Sequence, residues 1–255
     1  KLTNIMKVYY LNRERFSKGD TKIAFEFAKK LILKNPNLKI LTFLVYQQRQ
    51  YESFLSEMGF TKQHYKNHGY DAKNGVRIQI HTIKTYNPDY QFVGSPQHEV
   101  LIAVGVPPKE LEKYEDKSDI YACIVIPWLL DENLSFLNLH EAINIETNEL
   151  ITTNYNIDQR VVNAINWLKA TSYPNEGYHH PNDEKRLHEM SNALAHYNVP
   201  LDYDSVVYCG MHNGLLPSAS RQTANAFVKA QQRKFPVKGK QNYPFYKRMM
   251  ETKEH

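Results

Sequence analysis

The sequence has little cysteine and no long apolar run, and these two absences exclude several classes of protein. Only Cys123 and Cys209 occur in 255 residues, so the disulfide framework of a small secreted protein is not expected. The longest apolar stretch, 124–130, is far shorter than the roughly 20 residues that a membrane-spanning helix requires. The first residues also lack the apolar core of a secretory signal. These features predict a cytoplasmic protein with no membrane partner.

Glycine is also sparse, and the chain lacks the glycine-rich fingerprints of phosphate-binding loops. The turn after the first predicted strand, 12–21, has a single glycine, whereas a G-x-G-x-x-G motif has three. The P-loop pattern G-x-x-x-x-G-K-[ST] does not occur. NAD binding in its usual mode and P-loop phosphate binding are therefore disfavoured, and the sequence identifies no cofactor.

Positive charge is concentrated at the C-terminus. The formal net charge is +5, yet nine Lys or Arg and only two Glu fall from Arg221 onwards, so the rest of the chain is close to neutral. Four aromatic residues follow Lys234 among these charges, a combination used to bind single-stranded nucleic acid. The segment 235–255 has no periodicity and contains four Lys, two Pro, one Gly and one Asn. We predict a flexible basic tail, either simply solvated or in weak contact with nucleic acid.

The first 150 residues alternate between strand and helix patterns. Strands are predicted at five places: 5–11, 38–46, 76–86, 100–106 and 120–126. The fourth and fifth are continuously apolar, which indicates a sheet covered on both faces. We predict that residues 1–150 form a Rossmann-like, doubly wound, mostly parallel five-stranded α/β domain.

A different pattern follows in residues 151–234. Apolar residues recur at helical spacing in four stretches: 158–170, 181–197, 204–212 and 217–230. No stretch there has the alternation of a strand, so we predict a small all-helical domain. On its second helix, His188, Asn192 and His196 share one face, which is typical of a polar surface.

A ligand site is predicted at the carboxyl ends of the strands, where open parallel sheets bind their ligands. Arginine suits phosphate or carboxylate, aromatic rings stack on bases, and Asn or Asp can bind a sugar or base. Side chains of these types follow the predicted strands: Arg13, Arg15, Arg49, Tyr86, Asn87, Asp89 and Trp128. They predict a small anionic ligand of nucleotide type. The competing interpretation is that the arginines are solvated loop charges.

The segment YPNEGYHHPNDE, residues 173–184, lies between two predicted helices. Asn182, Asp183 and Glu184 suit the start of the second helix, where short polar and negative groups satisfy free N–H groups. Capping by these residues leaves Tyr178 and the adjacent histidine pair unexplained. The sequence therefore predicts acid–base chemistry here, with Glu176, His179 and His180 as the catalytic candidates.

A metal site is the weaker alternative for this segment. It would need completion by His188, Cys209 or His212, and the only motif-like spacing is the C-x-x-H pair at 209–212. Cys209 itself is predicted to be a core residue and not a nucleophile.

Two functional hypotheses follow from these patterns. The first is a ligand-binding α/β protein, with hydrolase- or transferase-type chemistry if it is an enzyme. The second is a non-enzymatic interaction protein that docks a partner or nucleic acid through its helical domain and basic tail. The sequence does not indicate the oligomeric state.

Overall fold

A computed structural model describes residues 6–72, 74–87, 98–237 and 240–252. The chain divides into two compact units, with the boundary between Thr153 and Asn154. We call them the α/β unit and the helical unit.

The α/β unit contains a seven-stranded sheet. Its strands are β1 Lys7–Tyr10, β2 Ile40–Val45, β3 Gly69–Asp71, β4 Arg77–Thr82, β5 Glu99–Val104, β6 Ile120–Ile126 and β7 Ile143–Asn144. All neighbouring strands are parallel except β3, which pairs antiparallel with β4. The predicted mostly parallel α/β fold is confirmed, but the number of strands was wrong. The two missed strands, β3 and β7, have three and two residues, too few to show a periodicity.

The strand order is β3-β4-β2-β5-β6-β1-β7. A Rossmann sheet would place the first strand beside the second, whereas here β1 pairs with β6 and β7. The sequence could not indicate this order, because an apolar strand has the same composition wherever it lies in the sheet.

Helices cover both faces of the sheet, as the continuous apolar strands indicate. The face that includes Phe43 packs against α1 Asp20–Lys34 and α2 Gln50–Leu55, with Tyr65 of α3 Lys62–Lys66 at its edge. The opposite face includes Leu101 and packs against α4 Pro108–Leu111 and α5 Leu130–Leu139. Adjacent strands β2 and β5 therefore send their next helices to opposite faces, the arrangement that opens a crevice at strand ends.

The helical unit consists of α6 Gln159–Thr171, α7 Pro181–His196, α8 Tyr203–His212, α9 Pro217–Gln232 and α10 Tyr243–Glu251. Its described residues contain no strand. Helices α8 and α9 cross closely at Gly210, where an added Cβ would lie 2.6 Å from the Oγ of Ser220.

The C-terminal segment was predicted as a flexible tail, and for most of its described length this is wrong. It ends in α10, whose Tyr246 and Met250 are buried. The amide of Asn163 on α6 donates to the Met250 carbonyl (2.7 Å), and the Tyr246 hydroxyl donates to Glu189 on α7 (2.5 Å). The prediction failed because α10 is short and the residues before it carry no helical pattern.

The polar face of α7 holds this segment in place. The Asn192 amide bonds both the N–H (2.7 Å) and the carbonyl (2.9 Å) of Phe235. The His188 ring stacks on Phe235 at 3.9 Å, and the His196 ring on Tyr243 at 4.0 Å, between ring centroids. The aromatic rings predicted to stack on bases are thus used inside the unit.

Replacing Asn192 should release the C-terminal segment without unfolding the helical unit. In Asn192→Ala both backbone groups of Phe235 lose their partner, a local cost of about 2 kcal/mol. We expect the Phe235 amide to exchange its hydrogen roughly 30-fold faster. The control is Asn225→Ala, an exposed position on α9. Unchanged exchange in Asn192→Ala would contradict this role.

Candidate functional site

The observed strand order separates the predicted ligand residues into two groups. Loops after β1 and β6 carry Arg13, Arg15 and Trp128, whereas loops after β2 and β4 carry Arg49, Tyr86 and Asn87. Strands β4 and β1 are four positions apart in the sheet, which corresponds to about 19 Å at the usual spacing between strands. The residues after β1 therefore lie far from those after β4, whereas β2 and β6, which precede Arg49 and Trp128, are only two positions apart. Asp89 lies outside the described residues.

The turn after β1 is closed by its own ion pairs. The Arg13 guanidinium makes two hydrogen bonds to the Glu146 carboxylate (2.5 and 2.6 Å) and lies 3.6 Å from Asp20. Asp20 is buried at the start of α1, where it accepts a hydrogen bond from the Ser17 N–H (2.6 Å). Burial raises the pKa of Asp20 despite these partners. The chain thus supplies its own carboxylate at a helix N-terminus where an anion would otherwise bind.

Trp128 and Arg15 belong to an aromatic cluster beside this turn. The Trp128 ring stacks on Phe54 and Phe16, with centroids 5.6 and 6.1 Å apart, and the Arg15 guanidinium lies 5.5 Å from the Trp128 ring. Gly105 faces the same cluster, since a Cβ there would lie 2.8 Å from the Phe54 ring. Trp128 therefore supports its neighbours, with 40% of its surface exposed.

A cleft of about 790 Å³ opens at the carboxyl ends of β2 and β4, and we call it the strand-end cleft. Its lining comes from the loop after β2, from α3 and its end, and from the loop after β4: Tyr46, Gln47, Gln48, Tyr65, Lys66, His68, Thr82, Ile83, Lys84 and Thr85. Lys66 and Lys84 are exposed, and neither is ion-paired within the part of the chain that the structure describes. The cleft therefore presents two unneutralised ammonium groups beside tyrosine and glutamine side chains.

His68, in the wall of the strand-end cleft, stacks on the buried His81 behind it. His68 and His81 lie parallel, with 4° between their rings and 5.1 Å between their centroids. His81 is buried, and its Nδ1 is 3.4 Å from the Thr85 hydroxyl. The pKa of His81 is lowered to about 4, mainly by burial and also by the neighbouring His68 and Arg77. His81 is therefore neutral at physiological pH.

Three other predicted ligand residues, Tyr86, Asn87 and Arg49, lie near this cleft but differ in exposure. Tyr86 is buried against the rings of His81 and Tyr114, so it cannot stack on a ligand. Burial also raises its pKa well above the ordinary value. Asn87 is exposed at the end of the described segment. Arg49 is exposed and lines a second cavity of about 680 Å³ next to the cleft.

In the helical unit, the structure brings the three predicted catalytic residues together. Glu176, His179 and His180 line a cavity of about 440 Å³ with Tyr173, Asn182, Asp183 and Arg186. The Asp183 carboxylate is buried, accepting hydrogen bonds from the Tyr173 N–H (3.1 Å) and the Arg186 guanidinium (3.0 Å). The cavity therefore combines hydrogen-bond acceptors and donors, namely two carboxylates, two imidazoles and one guanidinium.

Tyr178 and the adjacent histidine pair, which helix capping by residues 182–184 left unexplained, both have structural roles. His180 is the N-cap of α7, and its Nδ1 accepts a hydrogen bond from the Asn182 N–H (3.2 Å). The interpretation that the histidine pair adds nothing to the cap was therefore wrong. Tyr178 is buried and its hydroxyl lies 3.0 Å from that of Thr223 on α9, which anchors the segment. His179 packs over Gly177, where a Cβ would lie 2.7 Å from its Nε2.

Nothing in the described ranges favours the metal alternative, because no three His, Cys, Asp or Glu side chains there are grouped closely enough to hold an ion. Burial raises the pKa of the Cys209 thiol to about 11, so it is protonated at neutral pH and a poor nucleophile. His212 Nδ1 lies 2.9 Å from the Tyr208 carbonyl, within its own helix.

Sequence reasoning missed Lys66, Lys84 and His68. The signal for α3 was the T-x-x-H pattern at 61–64, which forms a capping box: the Thr61 hydroxyl accepts from the His64 N–H, and the His64 ring accepts from the Thr61 N–H. A helix over 62–66 would have placed Lys66 beside the end of the second strand.

The fold and its sites define a mixed α/β protein with a mostly parallel sheet and a separate helical unit. The chain matched no family model, no curated protein and no solved structure at a significant level. No helix within the described ranges is long and apolar enough to cross a membrane.

Proposed function

We propose that the α/β unit binds a small anionic ligand of nucleotide type in the strand-end cleft. The observation that carries this proposal is a cleft of about 790 Å³ at the carboxyl ends of β2 and β4, flanked by Lys66 and Lys84, which have no ion-pair partner among the described residues. Its volume lies within the range of small-molecule sites, and its place is where open parallel sheets bind ligands.

The side chains around the cleft match the parts of a nucleotide. Lys66 and Lys84 would hold phosphate oxygens as point charges. Tyr46 is half-buried and offers a ring to a base, while the amides of Gln47 and Gln48 can donate to and accept from a base edge. Arg13, Arg15 and Trp128, which the sequence also suggested, have no part in this proposal because they lie at other strand ends.

Removing either lysine should weaken binding of a nucleotide. The probes are AMP, ADP and ATP, measured by isothermal titration calorimetry at fixed salt. A hydrogen bond to a charged group is worth about 1.5–3 kcal/mol, so Lys66→Ala and Lys84→Ala should each raise Kd about tenfold. Lys30→Ala, an exposed lysine on α1, is the matched control. Absence of binding by the wild type, or equal losses in all three variants, would contradict the proposal.

A second candidate function is proton transfer in the cavity of the helical unit. The observation that favours it is the presence of Glu176, His179 and His180 around one cavity. Because His180 also caps α7, an alanine there would confuse a structural loss with a chemical one. His180→Asn keeps a cap acceptor and removes the imidazole.

The test of this second function is a hydrolase screen with chromogenic phosphate and acyl esters. Activity lost in His180→Asn and in Glu176→Gln, with thermal stability unchanged, would support acid–base chemistry. A wild type without turnover would contradict it, and so would turnover that persists in both variants.

A further inference from the structure

A second cavity lies beside the strand-end cleft, along α3. The second cavity, of about 680 Å³, is lined by Gln48, Arg49, Glu52, Lys62, Tyr65 and Lys66. Three of these residues, Gln48, Tyr65 and Lys66, also line the strand-end cleft. The two cavities therefore adjoin at a shared wall, and we call the pair the trough.

The trough is larger than a mononucleotide needs. Small-molecule pockets occupy roughly 300–1,000 Å³, and the strand-end cleft alone lies inside that range. The second cavity adds space of comparable size on the far side of Lys66. A ligand that filled both would have to be extended and not compact.

Positive charge is distributed along the whole trough. Lys84 lies in the strand-end cleft, Lys66 at the shared wall, and Arg49 and Lys62 in the second cavity. Within the described part of the chain, none of the four is ion-paired. Among the described residues, Glu52 is the single carboxylate in the lining of either cavity. Cations placed in series suit a chain of phosphates, whereas one compact phosphate group would leave the distant ones unused.

Aromatic rings accompany these cations. Tyr46 lies in the strand-end cleft and Tyr65 at the shared wall. Proteins that bind single strands without strong sequence preference combine a basic groove with rings on which successive bases stack.

We propose that the ligand of this trough is single-stranded nucleic acid, with one nucleotide in the strand-end cleft and the next in the second cavity. This inference rests on the proposed function of the strand-end cleft and names its ligand class. A mononucleotide would then be a partial ligand that fills one half of the trough.

The test compares ligands of increasing length on the full chain. The probes are AMP, the dinucleotide pApA, single-stranded octamers of riboadenylate and deoxyadenylate, and a DNA duplex as the control. We expect pApA to bind at least tenfold more tightly than AMP. The dependence of log K on log salt should steepen by about 0.7 for the added phosphate. The two octamers decide whether RNA or DNA is preferred.

Variants in the two halves should give different results. Arg49→Ala and Lys62→Ala should weaken pApA about fivefold and leave AMP unchanged, while Lys84→Ala should weaken both. Glu52→Gln should strengthen pApA two- to threefold, because it removes a negative charge from the second cavity.

The outcomes separate this inference from the function on which it rests. If AMP binds, pApA binds no tighter, and Arg49→Ala has no effect on either, the strand-end cleft is a mononucleotide site and the inference is wrong. If AMP binds but no single-stranded probe does, only the inference is wrong, and if neither AMP nor any single-stranded probe binds, both are wrong. Equal affinity for the duplex and the octamers would indicate a general attraction for polyanions and would also overturn the inference.

Discussion

Gly69→Ala is expected to destabilise the α/β unit by about 4 kcal/mol, near the upper end for a single substitution. Gly69 begins β3 with φ +129°, which L side chains rarely adopt. An added Cβ would lie 2.0 Å from the Ile78 carbonyl oxygen and 2.9 Å from the Gln79 Cα. Both atoms belong to the backbone of β4, so neither can move aside as a flexible side chain would. The substitution must therefore open the pairing of β3 with β4.

The control is Gly75→Ala in the turn between the same two strands. Gly75 also has a positive φ, +77°, but no atom lies within 4 Å of its added Cβ. It should cost only the conformational strain, about 1–2 kcal/mol. Urea denaturation of both variants checks the difference. Equal losses would mean that the β3–β4 pairing is looser than the structure indicates.

This substitution should also affect the trough. Helix α3 ends three residues before β3, and His68 lies between them in the left-handed region with φ +53°. Opening of β3 would therefore shift Lys66, and we expect nucleotide affinity to fall together with stability in Gly69→Ala. Gly75→Ala should retain affinity.

Strand positions were predictable because apolar and β-branched residues mark them locally. β2 and β6 were located within one or two residues, and both are buried along most of their length. Strand order was not predictable, since it depends on which buried faces pack together and not on any one segment. Without the strand order, the sequence grouped Arg13 and Arg49 in one predicted cluster, although Arg13 follows β1 and Arg49 follows β2.

The candidate site was predictable only where its residues are close in sequence. Glu176, His179 and His180 lie within five positions, and one turn brings them to the same cavity. Lys66 and Lys84 are separated by a strand pair and meet through the antiparallel turn of β3 onto β4. Arg13 is a residue type that suits an anionic ligand. Only the fold shows that its guanidinium donates hydrogen bonds to the carboxylate of Glu146, far along the chain.

Acid should destabilise the α/β unit in a window set by His81. The folded state holds this histidine at a pKa of about 4, against 6.5 for an ordinary histidine. The unfolded chain therefore binds the proton more readily between these values, and stability falls as the pH falls from about 6.5 to about 4. The full contribution is present above pH 6.5. At 1.36 kcal/mol per pKa unit, the loss reaches up to about 3 kcal/mol.

The groups facing His81 explain why protonation is costly there. The ring is buried and stacks on His68, with the Thr85 hydroxyl beside its Nδ1. Burial, His68 and Arg77 all lower the pKa of His81 and so oppose its protonation. His81→Gln removes the titrating group and keeps a polar side chain. Its free energy of unfolding should be nearly constant between pH 6.5 and 5, whereas that of the wild type should fall. Parallel curves for the two proteins would assign the acid sensitivity to another group. The negative charge of a phosphate bound beside His68 would favour the protonated ring of His81. A bound nucleotide should therefore shift the acid transition of the wild type to lower pH, and that of His81→Gln should shift less.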